Sequence, residues 1–173
     1  MRVAASTSQG ADEALFQDDN NGEQAMNDKQ SPRAIEILLV EDNPGDERLT
    51  REALKDSKIC NNLHVVEEGT AVADFLHKRG EYQAVPRPDL ILLDWNLPGK
   101  AGHEVLLEIK SDRNFRTIPV VILTTSAAEE DILKAYHLHA NCYIRKPVGF
   151  AQFVEVVKFI EHFWLSIVTL PSH

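Results

Sequence analysis

An α/β fold is predicted: a doubly wound, five-stranded parallel sheet in strand order 2-1-3-4-5. Three observations predict it. Short runs rich in Ile, Leu and Val recur between residues 35 and 146. Each run is followed by a segment whose apolar residues recur at helical spacing. Turn-forming Asn, Pro and Gly fall between runs and helices rather than inside them. Strands that alternate with helices of 10–15 residues require crossover connections, which place helices on both faces of a parallel sheet. Right-handed crossovers then restrict the topology to the open, doubly wound kind.

The elements follow in order. Ile35–Val40 reads as a buried strand, and EDNPGD after it as a loop. Glu47–Lys58 is expected to be a helix, with Leu49, Ala53 and Leu54 on its apolar face and Asp46 as its N-cap. Leu63–Glu67 is the second strand. Thr70–Arg79 is the second helix, buried through Val72, Phe75 and Leu76. The loop GEYQAVPRP leads to the third strand, Asp89–Asp94. Gly102–Lys110 is helical through Val105, Leu106 and Ile109. Ile118–Thr124 is the fourth strand, Ala127–His137 the fourth helix, Asn141–Lys146 the fifth strand and Gly149–Val168 the last helix.

The first 33 residues differ in kind. Leu15 and Phe16 are almost their only large apolar side chains, among Ser, Gln, Asn, Asp and Gly. Such a segment buries too little to offset its ordering entropy, so residues 1–33 are expected to be a disordered leader. The folded domain is then 34–168, with a short tail at 169–173.

Charge and cysteine content narrow the function. A net charge of −9 argues against sequence-independent nucleic-acid binding, which needs clustered Lys and Arg. Cys60 and Cys142 stand in no metal-ligand spacing and read as reduced thiols. There is no signal peptide and no apolar run long enough to span a bilayer, so a cytoplasmic location without membrane attachment is expected.

In a doubly wound sheet, sites form outside the carboxyl ends of the strands. Glu41 and Asp42 follow the first strand, Asp94 ends the third, Thr124 the fourth and Lys146 the fifth. Three carboxylates, a hydroxyl and an ammonium are thereby expected in one crevice. Clustered carboxylates repel one another, and a divalent cation relieves this. Oxygen ligands without Cys or His suit Mg2+ or Mn2+. Mg2+ commonly completes its shell with a phosphate oxygen, and Lys146 and Thr124 suit the remaining phosphoryl oxygens. A carboxylate can act as nucleophile to form an aspartyl phosphate, and Asp94 is the most central.

In these residues the chain resembles a response-regulator receiver domain over about residues 35–160, a flavodoxin/CheY-like fold. The resemblance is carried by Glu41-Asp42, by Asp94 in LLDWNLPGKAG, by Thr124 in VILTTSA and by Lys146 in YIRKP. It implies that a histidine kinase phosphorylates Asp94. It implies that Asp42, Asp94 and the backbone carbonyl of Asn96 ligate the metal, with Glu41 acting through a water. It implies that Thr124 and Tyr143 switch together on activation. The segments IPVVILTTSAAEEDI, LHANCYIRKP and FWLSIVTLP narrow the likeness to single-domain regulators paired with phytochrome-type histidine kinases. Trp95 departs from the aliphatic residue usual after the acceptor, and is expected to shape kinase access or shield the phosphoryl group.

The last helix carries two apolar ridges. Phe150, Phe153, Val154, Val157, Trp164 and Val168 are expected in the core. Val156, Phe159, Phe163 and Ile167 form a second ridge that a single-layer cover does not need. Exposed ridges of this kind mark interfaces, so a symmetric homodimer is expected, pairing this helix, the helix at Ala127–His137 and the last strand across a two-fold axis. The alternative is a monomer in which TLPSH folds back over the ridge. Two other readings compete with a phosphoacceptor. One is an interaction module with the same fold that works without phosphorylation. The other is a phosphohydrolase with an Asp nucleophile; it needs a second Asp where this chain has Asn96.

Overall fold

The structure is a computed structural model, and it describes residues 33–55 and 59–171. The expected leader at 1–33 falls almost entirely outside the described residues. So do the last three residues of the first expected helix and the end of the tail.

The strands are β1 (Ile35–Val40), β2 (Asn61–Val66), β3 (Leu90–Leu93), β4 (Val120–Thr124) and β5 (Cys142–Arg145). All pair in parallel, in the order β2-β1-β3-β4-β5. The helices are α1 (Pro44–Lys55), α2 (Val72–Leu76), α3 (Gly102–Ser111), α4 (Glu129–His137) and α5 (Phe150–Glu161).

Successive strand residues face opposite sides of the sheet. Leu38, Val40, Ile91, Leu93, Val120 and Ile122 share one core with buried residues of α2, α3 and α4. Ile37, Leu39, Leu90, Leu92, Val121 and Leu123 share the other with α1 and α5. The strands are therefore apolar on both faces, which is why they read as continuous aliphatic runs rather than alternating ones. Cys60 and Cys142 are both free thiols.

Several local expectations are corrected. Helix α1 begins at Pro44, three residues before the expected start. Asn43 is its cap: the side-chain oxygen accepts from the backbone N–H of Gly45 at 2.8 Å and of Asp46 at 3.3 Å. Asp46 lies inside the first turn and is not the N-cap. Helix α2 is preceded by a 3₁₀ turn, Gly69–Ala71, and stops at Leu76. Lys78 takes φ +56°, a left-handed value that ends the helix before Arg79.

The last helix also differs. Its α-helical part ends at Glu161 and continues as a π-helical turn, His162–Ile167. Val168 donates its backbone N–H to the Phe163 carbonyl, five residues back. The buried stripe is Phe153, Val157, Ile160 and Trp164. Phe150, expected in the core, is 65% exposed. Val156 is half-buried against the core, whereas Phe159, Phe163 and Ile167 are exposed as expected. Among the described residues, no helix is long and apolar enough to cross a membrane.

Candidate functional site

Parallel pairing places the strands' carboxyl ends side by side. Val40 pairs with Leu93, Leu93 with Ile122, and Thr124 with Arg145. The residues that follow these positions therefore meet at one edge. Asp94 hydrogen-bonds through its backbone N–H to the Val40 carbonyl, and Glu41 through its own to the Val66 carbonyl. Lys146 does the same to the Thr124 carbonyl at 2.7 Å. The main chain itself holds the three acid- and base-bearing turns in register.

Glu41, Asp94, Thr124 and Lys146 are buried; Asp42 and Asn96 are exposed at the mouth. Lys146 is the hub. Its Nζ donates to Glu41 Oε2 at 2.5 Å, to Asp94 Oδ2 at 2.7 Å and to Asp46 Oδ2 at 2.9 Å. Burial alone would lower its pKa, but the hydrogen bonds and charges of Asp94 and Glu41 outweigh that and hold it above the ordinary lysine value. Glu41 is pushed up to about 7: burial raises it more than the Lys146 ammonium lowers it.

The expected set is thus brought together, with one addition. Asp46 is a carboxylate of this site that the sequence reading assigned to helix capping. An acid in the first turn of a helix has a sufficient local explanation, so its tie to a lysine 100 residues away is invisible in the sequence. The available signal was Asn43-Pro44, since Pro favours the first helical position and Asn the cap before it.

The donor set fits a hard divalent cation. One oxygen each from Glu41, Asp42 and Asp94 lie within 4.8 Å of one another. Lys146 is the only ammonium that the described contacts bring to these carboxylates. The cluster keeps an excess of negative charge and presents oxygen ligands only, as Mg2+ or Mn2+ requires.

A second hydrogen-bonded chain leaves the acceptor on the other side. Asp94 Oδ1 accepts from the Asn96 backbone N–H at 3.0 Å. The Asn96 side-chain amide donates to Thr124 Oγ1 at 3.2 Å, and so does the Ser126 backbone N–H at 3.2 Å. The Ser126 hydroxyl donates to Asp131 at 2.5 Å, on the first turn of α4. The Tyr143 hydroxyl donates to the Ser126 carbonyl at 3.1 Å. Thr124 and Tyr143 thus both act on Ser126, one through its amide and the other through its carbonyl.

Trp95, expected to shape kinase access or shield the phosphoryl group, has its side chain in the core. It is 4% exposed and belongs to the core shared by α2, α3 and α4. Its ring meets Tyr143 edge-on, with centroids 6.2 Å apart, and His103 at 5.9 Å. A large apolar ring is stabilised more by that core than by the polar crevice mouth.

Known proteins resemble this chain in sequence and in fold. Residues 37–158 match the family model described as the response regulator receiver domain. The chain is 48% identical to the response regulator Rcp1 of Synechocystis sp., over 85% of this chain and 99% of that protein. It is 38% identical to the probable methanogenesis regulatory protein FilR2 of Methanothrix harundinacea, over 75% and 83%. Among solved structures, the phosphorylated cyanobacterial phytochrome response regulator RcpA superposes with a TM-score of 0.79 at 51% identity, covering 81% of this chain and 100% of that one. The Mn(2+)-bound form of Rcp1 superposes with a TM-score of 0.77 at 49% identity, covering 80% and 99%.

Proposed function

This chain belongs to the response regulator receiver domain family, and from that premise we propose that it accepts a phosphoryl group on Asp94 from a histidine kinase, in a phytochrome-type pathway. The observation that carries the assignment of Asp94 is its pairing with Lys146 at 2.7 Å, beside two further carboxylates within metal-sharing distance.

A carboxylate oxygen of Asp94 attacks phosphorus, a P–O or P–N bond of the donor breaks, and the leaving group departs with the electron pair. Lys146 holds the ammonium charge where the equatorial oxygens gather charge, and Thr124 brings a hydroxyl to the same oxygens. A bound Mg2+ or Mn2+ would be held by Asp42, Asp94 and the Asn96 carbonyl, with Glu41 through a water, and would supply charge neutralisation at the phosphoryl oxygens. Thr124 Oγ1 accepts from the Asn96 amide and the Ser126 N–H, which leaves its own hydrogen to donate to a phosphoryl oxygen. A turn of the Thr124 side chain toward that oxygen moves the acceptor of both N–H groups, and that is the path from Asp94 to Ser126, Tyr143 and the first turn of α4. The protein is a signalling phosphoacceptor rather than a turnover enzyme; slow hydrolysis of its own acyl phosphate uses the same groups.

The output is read from a surface. Phe159, Phe163 and Ile167 expose apolar side chains along one ridge, 73%, 49% and 63% exposed. Beside them Cys142, Ile144 and Val156 line a groove of about 340 Å³. A second copy of the chain covers this ridge in a two-fold homodimer, since a self-complementary patch buries both ridges at once. The acidic composition and absence of an apolar spanning helix among the described residues support a cytoplasmic partner of the kinase.

Intact-mass measurement after incubation with acetyl phosphate and Mg2+ tests the central assignment. The wild-type chain is expected to gain one phosphoryl group and Asp94→Asn none. Labelling of Asp94→Asn at another residue would overturn it.

A further inference from the structure

We propose that Asp46 is a positioning residue and the exchangeable partner of Lys146: it holds the ammonium in the resting site and gives way when a phosphoryl oxygen arrives. This rests on the reading of Asp94 as the acceptor.

An ammonium has three N–H donors and no more. Lys146 gives all three to carboxylates, of Glu41, Asp94 and Asp46. A phosphoryl oxygen can bind Lys146 only if one of these lets go. Glu41 is the costliest to release. Its side chain is 2% exposed, against 27% for Asp46, so solvent can take little of the place of Lys146 there. Asp94 is the acceptor, and its oxygens remain beside the phosphorus they bond. Asp46 is the cheapest. Its side chain is 27% exposed, its contact is the longest of the three, and it lies in the first turn of α1, where the helix dipole favours an anion. Water and the helix terminus together can keep it charged once Lys146 has turned away.

The cap leaves Asp46 available for this. Asn43, not Asp46, satisfies the first N–H groups of α1, so the Asp46 carboxylate is not needed as the cap of the helix. Its charge faces the crevice through which an anionic phosphodonor enters. Asp46 therefore opposes the donor twice: by occupying a donor hydrogen of Lys146, and by repelling the incoming charge.

The test is the labelling of the full chain by acetyl phosphate with saturating Mg2+. Here the Asp94 carboxylate forms a bond to phosphorus, the acetyl oxygen–phosphorus bond breaks, and acetate leaves. Half-saturating donor concentration and limiting rate are measured for wild type, Asp46→Asn and Asp46→Glu. Asp46→Asn is expected to lower the half-saturating concentration roughly two- to fivefold, the scale of one partly exposed charge contact. It is expected to change the limiting rate less. The gain should shrink at high salt, as screening demands. Asp46→Glu, which keeps the charge, should stay near wild type. Half-saturation in Asp46→Asn that is unchanged, weaker or independent of salt overturns the proposal, as does a Glu variant that behaves like Asn. Carboxyl-carbon NMR of the unmutated chain gives a readout free of folding effects: the Asp46 resonance should move when acetyl phosphate is added to the Mg2+ form, and a stationary resonance overturns the proposal. Failure of the wild-type chain to label at all would instead sink the reading of Asp94.

Discussion

Gly102 lies against the Asp94 carbonyl so closely that a Cβ there would sit 2.3 Å from that oxygen and 2.7 Å from Trp95 Cα. Both neighbours are main-chain atoms and cannot swing aside. The N-terminus of α3 is thereby packed directly on the acceptor's own backbone, and the Gly102 N–H donates to the Trp95 carbonyl at 3.0 Å. Gly102→Ala is expected to cost more than about 2 kcal/mol of stability. It should also slow acetyl phosphate labelling by roughly tenfold or more, since small displacements of reacting groups are costly. Urea unfolding and labelling kinetics on one preparation check both. A variant with wild-type labelling would show that the contact does not set the acceptor's position.

Trp95 is a core residue, so its loss should be felt in stability first. Trp95→Ala is expected to cost about 3–5 kcal/mol, the usual range for emptying a buried aromatic site. Trp95→Phe should cost much less. Denaturant midpoints at constant m-value measure this. A Trp95→Ala chain as stable as wild type, with altered phosphoryl lifetime, would restore the reading of Trp95 as a shield.

The apolar ridge is tested by charge. Phe159→Glu and Phe163→Glu should each shift the chain from dimer to monomer in sedimentation velocity at micromolar concentration. Both side chains are exposed, so the stability of the monomer should change by no more than about 0.5 kcal/mol. A wild-type chain that sediments as a monomer, both unmodified and phosphorylated, removes the dimer.

Lys110 gives a pH signature remote from the acidic crevice. Its ammonium donates to the Ile118 carbonyl at 2.8 Å, to Asn141 Oδ1 at 3.1 Å and to the Arg116 carbonyl at 3.3 Å, with no carboxylate among these partners. Burial pushes its pKa down to about 8. Below pH 8 the folded and unfolded chains both hold this proton, and the full cost of burying the charge is present. Between about pH 8 and the ordinary lysine value the folded chain has released the proton while the unfolded chain keeps it. Stability contributed by this group therefore rises with pH across that window. The difference in unfolding free energy between wild type and Lys110→Met should grow in favour of wild type from pH 8 to 10. A flat difference would contradict it.

The two-faced burial of the strands and the convergence of Glu41, Asp42, Asp94, Thr124 and Lys146 were legible in the sequence, the order 2-1-3-4-5 being that of the known five-stranded doubly wound sheet. Each rests on short-range pattern: an aliphatic run of four to six residues, bounded by turn formers, followed by a helical period. Once the strands are parallel, their carboxyl ends lie at one edge, and polar residues just after them must meet. Boundaries were less legible. The start of α1 depended on which of Asn43 and Asp46 took the cap, and the end of α2 on the left-handed φ of Lys78.

Tertiary structure alone decided the fate of side chains with more than one sufficient local role. Asp46 suits a helix terminus, and only the approach of Lys146 from β5 makes it part of the site. Trp95 suits either a lid or a core, and only the packing of Tyr143 and His103 around it selects the core. Phe150 shares the apolar stripe of α5 with Phe153 and Val157, yet stands exposed where they are buried. Periodicity and turn chemistry are settled between neighbours in the chain. The partner of a charge or a ring is settled by whichever surface folding brings within a few ångströms, and that depends on every element between them.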